Sequence, residues 1–139
     1  MSAAFIIDCS LAMAWLFKDE ATDKTTEILQ RLASETGLVP AWWFLEVTNV
    51  IALAERKGRV APQESQQFIS EVSQLDIEID TESPSRSFSH ILPLCRSYSL
   101  TSYDAMYLEL ALRRQLPLAT LDEPLRKAAK KAGVKLLGR

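Results

Sequence analysis

Short, unbroken apolar runs alternate along this chain with longer stretches whose apolar residues recur at helical spacing. Residues 4–8 form the first such run, a buried strand ending in Asp8. Ser10 can cap a helix over 11–17. Ile28, Leu29 and Leu32 share one face of a helix predicted over 22–35, which Gly37 ends before a short strand at Leu38-Val39. Pro40 leads into a long helix over 42–57, closed by Gly58 just past its C-terminal cap. Pro62 opens another helix, with Phe68, Ile69, Val72 and Leu75 at helical spacing. Residues 76–80 alternate polar and apolar, the pattern of a half-exposed strand. Helices over 85–98 and from Thr101 or Ser102 to 115 follow. A strand lies within 116–121, a helix runs from Pro124 to Gly133, and 134–137 closes the sheet.

Strands separated by helices in this rhythm predict an α/β fold, a parallel sheet with helices on both faces. The 139 residues suit one domain, 1–139, and the 47% apolar content suffices for a core without disulfides. The most loop-like segment, 80–87, is too short to separate domains. In parallel sheets, ligands gather beyond the C-terminal ends of the strands. Four acids fall at or near that edge: Asp8, Glu46, Asp104 and Asp122.

Each acid has an ordinary structural role to set against a functional one. Asp8 can cap the helix that follows, but Ser10 stands ready for that. Glu46 lies in Trp-Trp-Phe-Leu-Glu-Val-Thr-Asn-Val-Ile-Ala-Leu, where an ionised acid is costly if buried alone. Asn49, three residues on, shares its face. Asp104 closes Thr101-Ser102-Tyr103-Asp104, a capping-box pattern in which its side chain reaches back to the Thr101 amide. Asp122 can cap the helix at Pro124, and Thr120 points to the same side of the extended chain. Gathered in one cleft, four carboxylates repel one another and hold protons unless a cation joins them. Hard divalent cations such as Mg²⁺ and Mn²⁺ take such oxygen ligands. Metal-assisted attack on phosphate is the chemistry that follows.

Charge and composition narrow the alternatives. The net charge is −2, but residues 122–139 carry a net of +4 and the remainder −6. The basic tail can approach a polyanion or form a solvated helix face. Cys9 and Cys95 form no CxxC pair, which argues against zinc. The single histidine, His90, argues against Ser-His-Asp catalysis, and four isolated glycines leave no phosphate-cradling loop. Asp8-Cys9-Ser10 lacks the second acid of a haloacid-type phosphatase. Residues 3–7 are too short for a signal peptide, and no segment suffices to span a membrane. A cytoplasmic protein is expected.

The order and context of the acids resemble those of the PIN-domain ribonucleases, most closely the VapC toxins of toxin–antitoxin pairs. The resemblance covers essentially the whole chain. It rests on the strand ending in Asp8 with Ser10 beyond it, Glu46-Val-Thr-Asn49 within a helix, Ser102-Tyr-Asp104-Ala opening another, and Thr120-Leu-Asp122-Glu-Pro-Leu125. It implies a three-layer α/β/α sandwich and Mg²⁺- or Mn²⁺-dependent cleavage of RNA by a type II toxin. Asp8, Asp104 and Asp122 would be metal ligands, and Glu46 would complete the set or orient the attacking water. Ser10, Asn49 and Thr120 would support them. The resemblance also implies a homodimer or toxin–antitoxin hetero-oligomer, with a cognate VapB-like antitoxin laid over an apolar groove. The apolar helices at 11–17 and 42–57, with Trp15, Trp42 and Trp43, are candidates for that groove. Arg56-Lys57, Arg113-Arg114 and the tail, with Lys127 and Lys130, are candidates for RNA phosphates. A non-catalytic binding module with a structural cation, or a metal-dependent phosphatase or DNA nuclease, would fit the same residues.

Overall fold

In the computed structural model, which describes residues 2–139, the central strand β1 (Phe5–Ile7) is buried on both faces, with all three residues at 0% exposure. That is why it reads as an unbroken apolar run. It pairs in parallel with β2 (Gly37–Pro40) on one side and β4 (Leu118–Ala119) on the other. The sheet has the order β3-β2-β1-β4-β5 and is parallel throughout. The edge strands are β3 (Ile77–Asp80) and β5 (Leu136–Leu137). The polar–apolar alternation of 76–80 belongs to an edge, where Glu78 and Ile79 are exposed.

Helix α1 (Cys9–Leu16) packs on α2 (Asp23–Arg31), α3 (Trp43–Arg56) and α4 (Pro62–Ser73). Helix α6 (Ser102–Arg114) packs on α5 (Leu92–Tyr98), on α7 (Glu123–Lys131) and on β1, β2 and β4. These two helical sets and the sheet make a three-layer α/β/α sandwich. From β1 the chain winds outward to β3, then crosses back to β4 and on to β5. The direction of winding therefore reverses between β1 and β4, and a crevice opens at such a switch point beyond the strand ends.

Several boundaries differ from the sequence reading, each for a physical reason. Helix α1 begins at Cys9 with Asp8 as its N-cap, the Leu11 amide donating to Asp8 at 2.9 Å; Ser10 lies inside the helix. Helix α2 stops at Arg31, and Gly37 begins β2 instead of ending the helix. A Cβ on Gly37 would lie 2.6 Å from Ile7 Cδ1, so close strand packing is what this glycine serves. The single helix expected over 85–98 is a 3₁₀ turn (Ser83–Arg86), a π-helical turn (Ser87–Ile91) and α5. Pro93 can neither donate to the Ser89 carbonyl nor fit its ring beneath it. The chain widens before the proline and restarts with Pro93 in the first turn of α5, where no amide partner is required.

Candidate active site

The register pairs Ile7 with Ala119, which sets Asp8 beside Thr120 at the switch point. Asp8 is 3% exposed, yet both carboxylate oxygens are satisfied. Oδ1 accepts from Ser10 Oγ at 2.8 Å and from the Leu11 amide at 2.9 Å; Oδ2 accepts from Thr120 Oγ1 at 2.5 Å and from Ser10 Oγ at 2.9 Å. Burial pushes the Asp8 carboxyl up to about 6, against the hydrogen bonds of Thr120, Leu11 and Ser10; the charge of Asp122 adds to the rise. Ser10 Oγ also accepts the Leu121 amide at 2.9 Å, tying α1 to the end of β4. Thr120, fully buried, accepts the Asp122 amide at 3.0 Å. Ser10 and Thr120 are thus the two hydroxyls that hold Asp8 in place.

Asp122 caps α7, accepting the Leu125 amide at 3.0 Å, as its ordinary role predicts. Asp104 departs from the expected capping box. Thr101 Oγ1 accepts the Asp104 amide at 3.2 Å, but the carboxyl faces Asp122 instead of reaching back. Burial, then the charge of Asp122 and a hydrogen bond with it, then Asp8 and Glu46, push Asp104 up to about 7. Glu46, in the first turn of α3, is raised by burial and by the charge of Asp122, and lowered by the Tyr107 hydroxyl, which donates to Oε1 at 2.5 Å. Asp122 therefore lies close enough to Asp8, Glu46 and Asp104 to raise the proton affinity of all three. Among the described residues, no three ligating side chains are drawn in around one point, so this is an acidic cleft with an all-oxygen donor set. Such a set fits a hard divalent cation, whose charge would relieve that mutual repulsion.

Two neighbours of the acids were missed by sequence reasoning. Tyr107 is fully buried, and its hydroxyl is held protonated by burial and by Glu46. Its signal was available: it lies three residues after Asp104, on the same side of α6. Cys9, pushed up to about 12 by burial and by the charges of Glu46 and Asp8, is an uncharged thiol in the cleft wall. Asn49 shares the exposed face of α3 with Glu46 and lines the same cavity, of about 950 Å³, but no hydrogen bond links it to the acids.

The expected RNA contacts sort differently. Arg113 is corrected: its side chain is 12% exposed and its guanidinium donates to Asp80, Glu82 and Glu109. Arg114 pairs with Glu78 at 3.3 Å on the surface. Lys127 and Lys130 are exposed on α7 and take part in no ion pair among the described residues. The groove expectation also shifts. Helix α1 is largely core, with Leu11, Ala12, Met13, Ala14 and Leu16 buried, whereas α3 leaves Phe44, Leu45 and Leu53 exposed. The cavity beside the acids runs between α3 and α5–α6, and Phe88 on the π turn, 88% exposed, stands on its rim.

Fold and cleft together define an α/β/α domain with carboxylates gathered at the switch point of its sheet. The chain belongs to the PIN-domain family, whose model matches residues 5–131; PIN domains are nucleases and generally use divalent metals. A comparison with curated proteins found no match. Among solved structures, PAE2754 from Pyrobaculum aerophilum is 20% identical, with 96% of this chain and 83% of that chain covered and a TM-score of 0.70. VapBC2 from Rickettsia felis, bound to a DNA fragment from its promoter, is 12% identical, with 96% of each chain covered and a TM-score of 0.68. A toxin–antitoxin complex from Klebsiella pneumoniae is 15% identical, with 86% and 87% covered and a TM-score of 0.57. At these identities the likeness is one of fold. Among the described residues no helix is long and apolar enough to cross a membrane.

Proposed function

We propose that this protein is a Mg²⁺- or Mn²⁺-dependent endoribonuclease, the toxin of a type II toxin–antitoxin pair, active in the cytoplasm and held in check by a VapB-like antitoxin. The observation that carries the nuclease reading is the convergence of Asp8, Glu46, Asp104 and Asp122 at the switch point of a PIN fold, with Asp8 and Asp104 raised toward neutrality by burial and mutual repulsion. The solved structures with antitoxins bound support the partner reading.

Asp8, Asp104 and Asp122 would hold the cation, with Glu46 completing the set; when bound it supplies positive charge and Lewis acidity toward a phosphoryl oxygen. Ser10, Thr120 and the Leu11 amide fix Asp8 in one rotamer, so the binding face is set before substrate arrives. The Leu125 amide does the same for Asp122. Tyr107 takes Glu46 Oε1 and leaves Oε2 as the atom to accept a proton from an attacking water. The exposed apolar wall of Leu45, Phe88, Leu92 and Tyr103 offers an antitoxin helix or a second copy its surface.

The reading is tested on a substrate panel. Purified chain with Mn²⁺ should cut single-stranded RNA internally and leave DNA and a phosphomonoester intact, and EDTA should stop it. Release of phosphate from the monoester, or cutting of DNA alone, would replace the ribonuclease by one of the other metal-dependent hydrolases.

A further inference from the structure

Beyond the acidic cleft, a second cavity of about 560 Å³ lies between the C-terminal end of α5 and one face of α7. Ser97, Tyr98 and Ser99 form one wall, and Glu123, Lys127 and Lys131 the other. It begins one residue beyond Asp122 and follows α7 away from it. Glu123 is paired with Arg139, so its charge is answered from outside the cavity. Lys127 and Lys131 pair with no carboxylate among the described residues, in contrast to Arg113 and Arg114. They stand one helical turn apart, about 6 Å along the axis, comparable to the spacing of neighbouring phosphates on an extended strand. Tyr98 is half-buried, packed in part against the core, and lines the cavity between Ser97 and Ser99. Lys130 does not line the cavity.

We infer that this cavity is the subsite for the single-stranded RNA that flanks the cut, with Lys127 and Lys131 on successive phosphates and Tyr98 under a base. The inference rests on the nuclease reading for its substrate, but not for its evidence. A track of free cations with an aromatic platform is how proteins hold single strands without reading sequence. The cleft cannot do this alone, because its four carboxylates repel a polyanion. Free lysines beginning about 7–8 Å along the helix from Asp122 supply the attraction that brings the strand to them. An acidic protein segment is the competing occupant, and it would not need Tyr98.

The test is fluorescence anisotropy with a labelled single-stranded RNA in EDTA, where no cleavage occurs, across a salt series. Each lost phosphate contact lowers the slope of log affinity against log salt by about 0.7. The Lys127→Gln/Lys131→Gln double variant should therefore lose about 1.4 of slope and about tenfold in affinity at low salt. Tyr98→Phe should bind as the parent does. Tyr98→Ala should weaken binding about tenfold with its slope intact. Lys18→Gln/Lys24→Gln, equally conservative, exposed and outside the cavity, should leave the slope unchanged. A parent slope retained by the Lys127→Gln/Lys131→Gln protein, or no binding of RNA by the parent, overturns the subsite. With Mn²⁺ present, the same double variant should raise KM for a long RNA and leave kcat unchanged. Lysine-dependent binding by a chain that never cuts keeps the subsite and rejects the nuclease. Cutting with a lysine-independent slope does the reverse.

Discussion

Asp8 combines two roles that the sequence set against each other. It caps α1 and it is the most enclosed acid of the cleft. Its role as cap was obscured because Ser10, a better-looking cap in sequence, is spent on Asp8 and the Leu121 amide. The two roles separate by mutation. Asparagine caps as well as aspartate, so Asp8→Asn should keep its fold and lose at least about 10²-fold in RNA cleavage. Asp8→Ala should lose activity and be about 1 kcal/mol less stable than Asp8→Asn, read by urea denaturation. Thr120→Val keeps the shape and removes the donor to Oδ2, so a drop of about 10- to 100-fold in metal affinity is expected; parent-like Mn²⁺ binding would deny Thr120 its positioning role. At this scale the four acids were legible, because an acid in an apolar run has few structural explanations. Ser10 and Thr120 were legible beside them, whereas Tyr107 showed only its spacing from Asp104, because its bond to Glu46 exists only once the fold sets α6 beside α3.

The elements were legible where local chemistry set them and illegible where packing did. Pro62, Gly58 and the apolar run of β1 announce themselves, and Pro93 carried an equally local signal for the π turn at Ser87–Ile91 that the expectation of one helix over 85–98 left out. The Arg113-Arg114 pair read as an exposed cationic patch, but Arg113 belongs to a network joining α6 to the edge strand β3 and the turn beyond it. Asp80 in that network is raised by burial but lowered more by the hydrogen bonds of Arg113 and Ser83 and by the charge of Arg113, so it ends below its usual range. A depressed acid contributes stability above its unfolded value of 3.8 that is lost as pH falls through the folded value. Arg113→Met leaves Asp80 and Glu109 buried without this partner and should cost about 3–5 kcal/mol in urea unfolding. It should also remove the Asp80 share of the stability lost below about pH 4. An unchanged midpoint would show that the network contributes nothing. Gly37→Val should cost about 1–3 kcal/mol by crowding Ile7 and Leu32.

For the whole molecule, the strand–helix rhythm indicated a parallel sandwich, but not the strand order that makes β1 and β4 neighbours and so creates the cleft. The cleft opposes the stability of its own fold. Asp8, at about 6, and Asp104, at about 7, keep protons that the unfolded chain has already released above 3.8. Folding thus takes up protons between these values, and the metal-free protein should melt lower at about pH 8 than at about pH 5. Mn²⁺ at about pH 8 should recover the difference, because it binds the folded state alone. A melting temperature that rises with pH and ignores Mn²⁺ would mean the acids do not share a cation. The most direct measurement joins stability to chemistry: cleavage of single-stranded RNA with Mn²⁺ by the parent and by Asp8→Asn, each checked by its melting curve. The account predicts that the parent cuts and that Asp8→Asn folds, melts at least as high without metal at about pH 8, and does not cut. An Asp8→Asn protein that cuts as fast as its parent would contradict it.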